Sequence, residues 1–212
     1  MNDFYHEGSR GLQDRFETRA LAEDRLQEAI VCAQISPENK GFIEAQNMFF
    51  LATVDQAGRP NCSYKGGSIG FVKVLDETTI AFPLYDGSGM YISAGNVLIN
   101  PHVSLLFVDF QRQSRLRFNG DAFMQIDDPL ISEWPEAELV MRVKIREMFP
   151  NCPRYIHKMT FVEESAFVPK AECETPAPAW KRLEAVSDVL PPRDAHLSGN
   201  ETDLAAALNR ID

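Results

Sequence analysis

Four short stretches of this sequence concentrate side chains able to do chemistry. The first is Ser63-Tyr64-Lys65-Gly66-Gly67-Ser68. A lysine supplies charge, hydroxyls supply donors, and paired glycines let backbone N–H groups come close, so the set can bind an anion. The same residues also suit an ordinary β-turn with exposed polar groups. The G-x-x-x-x-G-K-[ST] order of a P-loop is absent. The second stretch joins Ser88-Gly89 to Ser93-Ala94-Gly95-Asn96. Ser93 and Asn96 lie three apart and share a helix face. Glycine inside a helix costs ~1 kcal/mol against alanine. Gly95 therefore points either to close approach of a ligand or another chain, or to simple helix packing. Together with Lys65, these side chains can grip one phosphate.

The third stretch, Arg115-Leu116-Arg117-Phe118-Asn119-Gly120, alternates polar with apolar residues. On a strand, Arg115, Arg117 and Asn119 then share one side. Two cations on one face need compensation from a phosphate, a cofactor's carbonyl edge or a carboxylate, unless the face is simply solvated. The fourth is Cys152-Pro153-Arg154-Tyr155-Ile156-His157. Arg154 favours a thiolate at Cys152, but no Cys–His–acid set can be drawn. The segment reads as a docking strap in which Arg154 and Tyr155 cover a site.

These stretches must be positioned by three zones. Residues 1–47 read as a helical extension. Leu26, Ala29, Ile30 and Ala33 repeat at i, i+3, i+4 and i+7, one face of a helix that Ser36-Pro37 ends. A second helix is expected over 37–46, with Pro37 in its first turn. Residues 48–149 read as a strand-rich core. β-type runs cover 49–54, 61–65, 71–75, 78–82, 103–109, 115–125 and, by period two, 139–145. Asp55-Gln56-Ala57-Gly58 is a turn with glycine where positive φ is needed, and Asp76-Glu77 joins a hairpin. Many short strands suggest a closed barrel, which removes exposed edges. A loop at Tyr85-Asp86-Gly87-Ser88-Gly89 feeds a helix over 90–100, ended by Pro101. Such a junction offers free N–H groups and a positive dipole end. Residues 150–212 are proline-rich and are expected to wrap over a surface in the same domain, with a short helix over 201–210.

Composition bounds the function. The chain has 212 residues, 44% hydrophobic and 25% charged, with a net charge of −10. It is long enough for one well-buried domain. The acidic balance argues against a general nucleic-acid binder, though a few local cations can still hold one phosphate. Cys32, Cys62, Cys152 and Cys173 have no C-x-x-C spacing and the four histidines form no ligand pair, so no zinc site is expected. Wide cysteine spacing fits reduced thiols in a cytosol. No secretory signal and no membrane span are expected, since the longest apolar run is Met48 to Val54.

The ordered set Phe50-Leu51-Ala52-Thr53-Val54-Asp55, Gly58-Arg59-Pro60, Tyr64-Lys65-Gly66-Gly67, Gly70-Phe71-Val72-Lys73-Val74-Leu75-Asp76, Gly95-Asn96, Asn100-Pro101, Leu105-Leu106-Phe107 and Leu116-Arg117-Phe118-Asn119-Gly120 resembles the pyridoxamine 5′-phosphate oxidase-like FMN-binding split-barrel family. The resemblance implies a mainly β fold, a six-stranded antiparallel split barrel with flanking helices. It implies a homodimer with FMN at the subunit interface, acting as an oxidoreductase on a small molecule, or else binding flavin without turnover. By the same resemblance, Ser63, Tyr64, Lys65 and Ser68 would run beside the isoalloxazine ring and ribityl chain. Phe82 and Pro83 would sit near the ring or phosphate, Ser93, Gly95 and Asn96 would grip the phosphate, and Arg115 would reach the partner's flavin. Two features depart from the family's oxidases: Ser88-Gly89-Met90 stands where they carry an Arg/Lys pair, and Trp180-Lys181-Arg182 is not their B6-binding terminal signature. Flavin binding is thus implied more strongly than vitamin B6 oxidation. Relatives of this fold also bind a deazaflavin or haem, but neither His102 nor His157 makes a persuasive haem ligand. Hydride chemistry belongs to the cofactor, so no catalytic side chain is named.

Overall fold

Each of the seven β-type runs forms a strand: β1 (Met48–Val54), β2 (Pro60–Gly66), β3 (Lys73–Asp76), β4 (Thr79–Tyr85), β5 (His102–Asp109), β6 (Ser114–Gln125) and β7 (Ala137–Pro150). The structure is a computed structural model and describes residues 4–197 and 199. The strands make one antiparallel sheet in the order β2-β1-β5-β6-β7-β4-β3. This corrects two expectations. The strands number seven, not six, because the four-residue β3 counts beside the longer ones. The sheet is also not closed: among the described residues β2 pairs only with β1 and β3 only with β4.

Local chemistry explains the turns. Gly58 takes φ +79, while the Asp55 carboxylate accepts from the N–H groups of Ala57 and Arg59. Asp76 accepts from the backbone N–H and hydroxyl of Thr78 and so closes the β3–β4 hairpin. Gly120 sits at a register shift between β6 and β7, where a Cβ would collide with the Lys144 carbonyl. The core lies along the inner face of the sheet. Phe49 is its hub, with ring centroids of Phe82, Phe107 and Phe71 at 4.8, 5.1 and 5.8 Å.

Helices flank the sheet. The N-terminal run comprises α1 (Glu7–Arg15), α2 (Arg19–Leu21), a π stretch (Ala22–Gln27) and α3 (Glu28–Ile30). The helix expected through Ala33 to Ser36-Pro37 stops at Ile30 instead. Val31 turns extended, and Cys32 exchanges backbone hydrogen bonds with Met148 of β7 at 2.9 and 2.7 Å. A β-bridge has outcompeted helical periodicity, and Leu26, Ala29 and Ala33 are left exposed. α4 (Pro37–Glu44) starts as expected, with the Ser36 hydroxyl accepting from the Asn39 N–H and Pro37 in the first turn. α5 (Ile92–Ile99) stands between β4 and β5.

Two compact units divide the chain. The first spans 1–132 and 137–161 and holds the sheet. The second spans 133–136 and 162–212. Its described part has 3₁₀ turns at Ala179–Arg182, Glu184–Val186 and Pro192–Leu197, around a buried Lys181–Asp194 ion pair of 2.8 Å. The helix expected over 201–210 lies outside the described residues. No helix among the described residues is long and apolar enough to cross a membrane. All four cysteines are unpaired.

Candidate functional site

β2 alternates between half-buried Asn61, Ser63 and Lys65 and exposed Cys62 and Tyr64, as period two requires. Its residues 61–66 form one wall of a cavity of about 430 Å³. The other walls are Pro83, Leu84 and Tyr85 at the end of β4, the loop Asp86–Tyr91, and Ile92, Ser93 and Ala94 in the first turn of α5. The cavity therefore lies between the strand that ends the open sheet and a strand next to its other end. Its volume falls within the ~300–1,000 Å³ usual for small-molecule and cofactor sites.

The lining is rich in donors. Lys65 makes no ion pair with any described residue, and burial lowers its pKa below that of an ordinary lysine. Burial also pushes the Tyr85 phenol up to about 12 and raises that of Tyr64, so both hydroxyls are neutral donors at pH 7. Ser63 Oγ and Ser93 Oγ are 3.0 Å apart, joining β2 to α5. The first-turn N–H groups of α5 add the positive end of its dipole.

The structure brings Ser63, Tyr64, Lys65, Pro83 and Ser93 together around this cavity. It places the other singled-out residues elsewhere. Phe82 is fully buried in the Phe49 cluster. Ser68 lies in the β2–β3 loop, where its carbonyl accepts from Phe71 N–H. Asn96 donates to the hydroxyl of buried Thr53 at 3.0 Å. Gly95 is exposed, and a Cβ there would touch nothing within 4 Å, so no packing within the chain demands glycine. Gly67, by contrast, is needed for packing, since a Cβ would lie 2.5 Å from the Phe71 ring.

The β6 face finds compensation within the chain except at Arg115 Nε. Arg115 donates to the Cys152 carbonyl at 3.1 Å while its Nε is buried without a partner. Arg117 lies over the Phe149 ring at 5.4 Å. Asn119 accepts from Ser104 and donates to Glu147. The Cys152–His157 strap is anchored by Arg115 and by Gln113, which donates to the Ile156 carbonyl, while Tyr155 stays exposed. Sequence reasoning missed Asn61, Tyr91 and Thr53. The β2 alternation already placed Asn61 beside Ser63 and Lys65. Nothing local signalled Thr53, whose partner is 43 residues away. No group of three His, Cys, Asp or Glu side chains able to hold a metal occurs among the described residues.

Comparison with known proteins bears on this site. HupZ of Group A Streptococcus is 22% identical, with a TM-score of 0.46, covering 59% of this chain and 99% of its own. HutZ, the haem storage protein of Vibrio cholerae, is 22% identical, with a TM-score of 0.42, covering 55% and 94%. An FMN-binding protein of Syntrophomonas wolfei is 14% identical, with a TM-score of 0.38, covering 68% and 97%. No curated protein sequence matches the chain. The sequence profile described as pyridoxamine 5′-phosphate oxidase matches residues 35–152. That span is more than half of the chain and includes every strand of the sheet and the whole cavity lining, so the chain belongs to the pyridoxamine 5′-phosphate oxidase family.

Proposed function

We propose that this protein binds FMN in the cavity between β2 and the β4–α5 loop, and that it is an FMN-dependent oxidoreductase of a small molecule. The observation that carries the reading is Lys65: a half-buried ammonium without an ionic partner, facing a donor-rich cavity in a member of this family. The residues fit the cofactor. Lys65, Ser63, Ser88 and Ser93 suit its phosphate and ribityl oxygens, and Pro83, Leu84 and Tyr85 offer an apolar side to the ring. Bound FMN would supply electron and hydride transfer. The chain's own part is to bind it, orient it and exclude water.

The working form in this reading is a homodimer in a reducing cytoplasm. Tyr64, Ile69, Met90, Ile92, Leu98 and Ile99 leave apolar surface uncovered on β2, the β2–β3 loop, the β4–α5 loop and α5, a pattern that marks interaction surfaces. A second reading is flavin binding without turnover.

FMN titration followed by flavin fluorescence tests binding. Saturable quenching with one FMN per protomer is expected, and no quenching sinks both readings. Reduction of the bound flavin by NAD(P)H, then reoxidation by a defined acceptor, separates the enzyme from the carrier.

A further inference from the structure

The geometry points to Tyr91 and Glu138 as a latch that holds the β4–α5 loop against the cavity, so that its release sets how fast a ligand is taken up and let go. Seven consecutive residues, Tyr85–Tyr91, line the cavity. Those from Asp86 to Tyr91 are exposed, so no buried side chain pins the loop. Gly87 and Gly89 have nothing within 4 Å of where a Cβ would be, and Gly89 takes φ +73. Such a segment can swing about its glycines, and the clip at its α5 end bears on whether it does.

Both ends are clipped to consecutive residues of β7. Tyr85 pairs with Ala137 through the sheet, just past a register shift in the β4–β7 ladder. Tyr91 donates its hydroxyl to Glu138 Oε2 at 2.8 Å. The first clip is part of a seven-pair backbone ladder. The second is one side-chain hydrogen bond at the surface, so it is the clip that yields. Tyr91 also holds a left-handed backbone, φ 47 and ψ 29, unfavourable for a bulky residue unless its surroundings impose it. Its carbonyl accepts the Gly95 N–H at 2.7 Å, which ties this conformation to the first turn of α5. Breaking the Tyr91–Glu138 bond releases one end of the loop while the sheet and α5 stay intact.

The kinetic part of this proposal rests on the FMN reading above, so the test has two arms on the full-length protein. Hydrogen exchange of the loop amides without any cofactor is the first. Tyr91→Phe and Glu138→Ala are expected to speed exchange over 86–91, whereas Glu138→Gln, which keeps an acceptor, stays closer to wild type. Stopped-flow fluorescence with FMN is the second. Association and dissociation rates should both rise about three- to tenfold in Tyr91→Phe, the scale of one hydrogen bond, with Kd little changed. If wild-type protein takes up no FMN, the cofactor reading fails and the exchange arm still judges the latch. Unchanged exchange in both Tyr91→Phe and Glu138→Ala overturns the latch. So does weaker FMN binding with loop exchange unaltered.

Discussion

Lys65 shows how a single residue ties function to stability. Burial lowers its pKa and no carboxylate compensates it, so the unfolded chain binds that proton more tightly than the folded one. Its burial therefore subtracts stability below the folded pKa, and the penalty fades as pH climbs from there towards 10.5. Lys65→Met is expected to weaken FMN binding about tenfold to a hundredfold, the worth of a hydrogen bond to a charged group. The Tm of the cofactor-free protein should stay level or rise. A fall in Tm with unchanged FMN affinity would remove Lys65 from the site. FMN affinity of the wild type should also begin to drop at a lower pH than an ordinary lysine dictates, as Lys65 loses its proton. Tyr85 works in the opposite sense. With its phenol raised to about 12, it favours unfolding above pH 10, where the unfolded chain has already lost that proton. Lys65 and Ser63 were legible in the sequence because a lysine and hydroxyls beside paired glycines form a recognisable anion-binding set. Tyr91 was not, since its role depends on Glu138, 47 residues away across a register shift.

At the level of elements, turn chemistry was readable and competition between elements was not. Asp55–Gly58 and Asp76-Glu77 announce themselves because carboxylates accept local N–H groups and glycine tolerates positive φ. The early end of α3 was hidden, because the Cys32 backbone is captured by Met148, 116 residues on. Gly120 stands between these cases. It belonged to a recognisable motif, but the reason for glycine appears only where the β6–β7 register shifts and the Lys144 carbonyl fills the space a Cβ would take. Gly120→Ala should cost about 3 kcal/mol of stability in urea unfolding, the upper end for overpacking a tight site. An unchanged unfolding midpoint would mean that the two strands separate there without penalty.

For the whole molecule, the strand set was legible and the ends of the sheet were not. Period two finds strands, but whether the last strand meets the first depends on tertiary curvature, which no local pattern encodes. The uncovered apolar surface on α5 carries the corresponding prediction. Leu98 is 73% exposed. Leu98→Glu is expected to shift the protein from dimer to monomer in light scattering, with the far-UV circular dichroism retained. A wild type that already runs as a monomer would refute the dimer.

The end of the sheet at β2 has a practical consequence for handling the protein. A strand paired on one side only offers backbone N–H and C=O groups to any other chain. β2 carries no charge before Lys65 and only Pro60 at its start to discourage such pairing. On the FMN reading, chains that have not yet taken up the cofactor beside this edge are the ones more prone to aggregate. Riboflavin supplied to the expressing cells should raise the soluble yield without any change to the sequence.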